Sequence, residues 1–202
     1  MNLLYHFFLY SHILFGGTAL ILGMVAILSK KGLRFHKSAG RIYVIAMCVV
    51  VVSAIVLSVI KTNHFLLSIA VFSFYLTYTG YRSIKNKRYI AQWYDWLILI
   101  INLLTSFWMI STLDTILIVF GSINILMSVR DVYVFVKQKE YILSNKTHWI
   151  KTHIGRMMGA YIATTTAFIV VNIQMTPSWI PWLAPTALGV PLIFYFTNKY
   201  KK

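Results

Sequence analysis

Residues 30–41 read KKGLRFHKSAGR, and a long apolar run lies on either side of them. Five of the nineteen Lys and Arg residues fall in these twelve positions. Basic residues are costly in hydrocarbon and collect in short cytoplasmic loops. A dense positive stretch between two apolar runs therefore reads as the inner turn of a membrane hairpin. The flanking runs, about residues 7–28 and 39–60, each reach the roughly 20 residues a helix needs to cross a bilayer.

The same alternation continues along the chain. Further spans are expected at about 65–82, 96–112, 116–136, 154–172 and 183–197. The reading is an all-α polytopic bundle of seven transmembrane helices forming one transmembrane domain over 1–202. Basic residues decide its orientation. All but Lys61 fall in alternate connections or in the tail, which predicts an outside N-terminus, a cytoplasmic C-terminus and an odd number of spans. The first basic residues follow the first apolar run, the reverse of a cleaved signal peptide, so 7–28 is expected to be retained.

Composition agrees. Hydrophobic residues make up 59% of the chain and charged residues 11%, with a mean hydropathy of +0.73. These are the proportions of a multi-pass protein of the cytoplasmic membrane. The net charge of +15 sits at span ends, where anionic headgroups on the cytoplasmic side are the expected partners. That placement argues against nucleic acid. The single cysteine, Cys48, excludes an intrachain disulfide. After span 5, Arg130, Asp131, Lys137, Lys139 and Glu140 alternate with apolar residues, predicting a helix that leaves the bilayer along its surface. The segment QMTPSWIPWLAP (174–185) reads as an interfacial turn because of its three prolines and two tryptophans.

Candidate chemistry rests on six histidines, because the four acids (Asp95, Asp114, Asp131, Glu140) all fall near expected span ends. Asp95 and Asp114 read as cap and turn residues. His6, His12 and His64 belong to the outer half; His36, His148 and His153 belong to the basic edge. His12 lies roughly 8 Å below the outer end of its helix and roughly 24 Å from the inner end, too far to share a ligand with His36. His36 and Gly40 are four apart, as are His12 and Gly16, so each imidazole has a bare patch on its own helix face. A flat macrocycle held by two histidines from different helices uses such a clearing. The expected site pairs His36 with His153, or with His148 as substitute, around haem b. Arg34, Lys37, Arg41 and Arg156 would then serve its propionates. His12 and His64 would form a second, outer pair. An alternative is a zinc-dependent lipid hydrolase with ligands His36, His148 and His153 and Asp95 as partner. A non-catalytic transporter or sensor is a third class. Glycines beside polar residues also serve plain helix packing in lipid.

Several of these motifs form a recognisable set: His12-x3-Gly16, His36-x3-Gly40-Arg41-x-Tyr43, and His148-x4-His153-x2-Arg156-Met157-x-Gly159-x-Tyr161, followed by Thr166-Ala167-Phe168 and Asn172. Over about residues 7–175 they resemble the bacterial membrane family known as domain of unknown function 2306. That resemblance implies a polytopic bundle and no particular activity. A looser likeness, to cytochrome b561, implies paired histidines holding haem between spans.

Overall fold

A backbone surrounded by hydrocarbon has to satisfy its hydrogen bonds within its own segment, and a helix does so. In the computed structural model, which describes residues 2–144 and 146–200, every expected span is helical and no strand occurs among the described residues. The helices are α1 (Asn2–Leu28), α2 (Arg34–Ile60), α3 (His64–Lys85), α4 (Trp93–Ser111), α5 (Thr115–Val136), α6 (Gln138–Ser144), α7 (His148–Asn172) and α8 (Trp179–Asn198). Polar turns separate them. Gly32, at φ 80°, supplies the left-handed turn that reverses the chain between α1 and α2. Asp114 caps α5, accepting from the backbone N–H groups of Ile116 (2.9 Å) and Leu117 (3.0 Å). Asp95 completes a capping box with Gln92 at the start of α4.

Among the described residues, six helices are long and apolar enough to cross a membrane: α1, α2, α4, α5, α7 and α8. The third of the seven expected spans, α3, is long enough at 22 residues but more polar. The packing explains its composition. α3 lies against α2, α4, α5 and α7, and α7 in turn lies against α3, α8 and α1. Ser68, Tyr75, Thr77, Gly80 and Ser83 of α3 are buried against these neighbours rather than turned to lipid. The outer helices show the opposite pattern, with Ile13, Leu14 and Ile21 of α1 and Leu188 and Phe194 of α8 exposed for contact with acyl chains.

Three sequence expectations change. The stretch 174–185 is not all turn: α8 starts at Trp179 and takes in Pro181 and Pro185. Pro181 falls in the first helical turn, where no intrahelical N–H bond is lost. Second, α5 stops at Val136, and a separate seven-residue helix, α6, follows it. Third, Asp131 is not at a surface: it is 6% exposed and faces the bundle interior.

Candidate functional site

The ends of α1, α2, α3, α7 and α8 that carry the basic residues meet at one end of the bundle. His36 lies in the first turn of α2, and α7 begins at His148. Both HKSAGR and HIGR are thus helical, and their histidines face each other. The His36 and His153 ring centres are 6.5 Å apart, with planes at 86°.

Each imidazole is anchored from behind by a backbone carbonyl. His36 Nδ1 donates to the Ala26 carbonyl at 3.0 Å, and His153 Nδ1 donates to the Gly80 carbonyl at 2.9 Å. A carbonyl only accepts, so each Nδ1 carries a proton, and in the neutral imidazole Nε2 is then the accepting nitrogen. The hydrogen bonds of both rings among the described residues run through Nδ1. The Ala26 oxygen also receives Ser29 Oγ (3.1 Å) and Lys31 Nζ (3.0 Å). This gathers three polar side chains at the end of α1.

Space follows the same face. A Cβ added to Gly40 would meet nothing within 4 Å. Farther along α2, Tyr43 faces Tyr161 with ring centres 6.5 Å apart, and Thr164 Oγ1 lies 3.2 Å from Met47 Sδ. α2 and α7 thus face each other along this line through their side chains.

This donor set suits a metal between two imidazoles. Two imidazoles on opposite sides of one metal, each at a bond of roughly 2 Å, have their ring centres roughly 6 to 6.5 Å apart. Nδ1–H bonded to a carbonyl is also the usual outer-shell arrangement of a ligating histidine.

The other expected residues lie elsewhere. His148 packs on Tyr89 (4.8 Å) and Tyr141 (5.5 Å), with its Nε2 donating to the Lys87 carbonyl at 2.9 Å. Five residues along a helix turn it roughly 140° from His153, so it does not join the pair. The zinc set His36, His148 and His153 therefore does not converge, and Asp95 is held by Arg82. Among the described residues, no group of three or more His, Cys, Asp or Glu is placed to hold a metal ion. His12 donates from Nδ1 to the Val50 carbonyl (3.2 Å) and lies 3.1 Å from Ser53 Oγ, whereas His64 packs on Trp108 of α4. Those two histidines thus engage different neighbours, although Gly16 below His12 is open as expected. Arg34, Lys37 and Arg41 line an exposed face with Ser38, turned away from His36 by the helical repeat.

Arg156 is committed to a network not legible in the sequence. Its Nη2 meets Asp131 Oδ2 at 2.8 Å and the Met127 carbonyl at 3.2 Å, and Tyr75 donates to the same Asp131 oxygen at 2.6 Å. A second triad stands beside it: Arg82 makes two 2.9 Å bonds to Asp95, which also accepts from Tyr78. Between them lies a cavity of about 30 Å³, lined by residues including Tyr75, Tyr78, Tyr89, Asp95, Asp131 and Thr152. That is room for one or two waters. Burial pushes the Tyr89 hydroxyl up to about 12, so it stays a neutral donor.

Gly80 joins the network to the histidine pair. Its carbonyl holds His153, and a Cβ there would lie 3.0 Å from Arg156 Cβ and 2.8 Å from Met157 Sδ. The twin triads join α3, α4, α5 and α7, and α3 also carries the Gly80 carbonyl that holds His153.

No curated protein and no solved structure matches the chain. A family model described as predicted membrane protein (DUF2306) matches residues 9–123. The matched part contains His12, His36 and Gly40, while His153 lies beyond it. With more than half its length matched, the chain belongs to the DUF2306 family of predicted membrane proteins.

Proposed function

We propose that this multi-pass membrane protein binds a b-type haem between His36 and His153, for electron transfer or haem sensing. The observation that carries the reading is the facing pair, 6.5 Å between ring centres, with both Nδ1 atoms tied to backbone carbonyls. Two imidazoles from different helices, each tied back through Nδ1, offer a bis-imidazole donor set. Haem so held supplies one-electron redox chemistry. The chain's own part is to hold both rings in one tautomer, to keep the Gly40 face clear and to exclude other ligands with apolar helices. Ala26 and Gly80 orient the imidazoles, and the charge triads brace α3 and α7.

In this reading all seven long helices cross the cytoplasmic membrane. The polar α3 is shielded by its neighbours, the N-terminus lies outside, and the histidine pair sits at the cytoplasmic, headgroup-facing end. The experiment is titration of detergent-purified protein with haem, followed by absorption. Wild-type protein should develop a sharpened, shifted Soret band at one equivalent, and His36→Ala and His153→Ala should each weaken uptake at least tenfold. Equal uptake by wild-type and both variants would defeat the assignment.

A further inference from the structure

The residues expected from sequence to meet the propionates do not reach the pair: Arg41 faces away and Arg156 is paired with Asp131. Another pair of cations stands beside it. Lys31 Nζ donates to the Ala26 carbonyl, the oxygen that anchors His36, and also to the Ile27 carbonyl. It lies 5.3 Å from the centre of the Phe196 ring, and Lys199 Nζ lies 5.5 Å from the centre of the same ring. Two ammonium groups therefore lie near one phenyl ring, and one of them shares with His36 the carbonyl that anchors it.

Neither has a side-chain carboxylate partner. The chain has four acidic residues, and each is engaged elsewhere: Asp95 with Arg82, Asp131 with Arg156, Glu140 with Lys137, and Asp114 as the cap of α5. Like charges brought together at a low-dielectric edge are unfavourable unless an anion joins them. Lys31 bears this out, its ammonium being depressed first by burial and then by Lys199.

We propose that Lys31 and Lys199 form a clamp for the carboxylates of the haem held by His36 and His153. The clamp rests on the haem reading and adds the group that fixes which edge of the macrocycle faces the cytoplasm. Protonated lysines donate charge-assisted hydrogen bonds to carboxylate oxygens, whereas an esterified haem offers no charge to bind.

The test compares haem with haem dimethyl ester, titrated into purified wild-type protein, a Lys31→Met/Lys199→Met variant and a Lys31→Arg/Lys199→Arg variant. The methionine variant should bind haem about tenfold more weakly, the loss of one or two partly exposed charge-assisted bonds. The arginine variant should stay within about twofold of wild type, because it keeps both charges. The dimethyl ester should bind wild-type and methionine-variant protein equally. Unchanged haem affinity in the methionine variant overturns the clamp. So does an equal loss for the ester, which would reduce the lysines to caps on the ends of α1 and α8. Failure of the haem reading looks different: neither porphyrin gives a shifted Soret band with wild-type protein, and the clamp falls with it.

Discussion

The ring centres of His36 of α2 and His153 of α7 stand 6.5 Å apart, ring planes at 86°, each ring fastened by Nδ1 to the backbone of a third helix. His36 holds the end of α1 through Ala26, and His153 holds α3 through Gly80. Four helices thus determine the spacing of two imidazoles, and the spacing does not depend on one flexible side chain.

Gly40 separates space from stability. Because a Cβ there meets nothing within 4 Å, Gly40→Ala should leave the melting temperature unchanged or slightly higher, in line with helix propensity. Gly40→Leu should fold equally well and lose haem uptake, since it fills the clearing beside His36. Retained uptake in the leucine variant would show that the macrocycle does not lie there. Gly23→Ala is the contrasting control: its Cβ would sit within 3.0 Å of the Tyr43 and Tyr161 rings, so it should be destabilising by about 1–3 kcal/mol.

The Asp131–Arg156 pair is almost fully buried, at 8% and 4% side-chain exposure. Asp131→Asn leaves a guanidinium without its counter-charge, which costs about 3–5 kcal/mol. Thermal unfolding in detergent should show this loss, and the double variant Asp131→Asn/Arg156→Met should recover a large part of it. Additive losses would mean that the two side chains act independently.

How far the sequence revealed this arrangement depends on the range of each interaction. The helices were legible because apolar runs and basic turns are local signals. The meeting of His36 with His153 was legible from depth alone, both lying at the basic edge. The separation of His148 was available too, because five residues along α7 turn it away from His153. The Asp131–Arg156 bond was not, since it joins residues 25 apart through the placement of α5 against α7. Nor was the Lys31–Lys199 approach, which needs α8 to return beside the end of α1. The polar composition of α3 is explained only by its neighbours.

Asp114 offers a local test of the fold. Its carboxylate caps α5 through two backbone N–H groups, and Asp114→Ala should cost about 1 kcal/mol. Asp114→Asn, which keeps an accepting oxygen, should recover most of that in the same unfolding measurement. A loss as large as that of Asp131→Asn would point to a role beyond capping.

Lys31 predicts a pH slope. Its pKa in the folded protein lies below the ordinary 10.5, so between those two values the unfolded chain binds more protons than the folded one. Stability therefore rises with pH through that window and levels off above 10.5. Lys31→Met should remove this contribution from melting curves recorded as pH approaches 10.5. A slope of the same size in the variant would assign it to another group.

The pairing of His36 with His153 is tested most directly by the absorption spectrum of haem-supplied, detergent-purified protein, oxidised and then reduced. A six-coordinate, low-spin spectrum in both states, lost in His36→Ala and in His153→Ala but kept in His148→Ala, is the predicted result. A spectrum of free haem, or a low-spin spectrum that survives either of the first two substitutions, would contradict it.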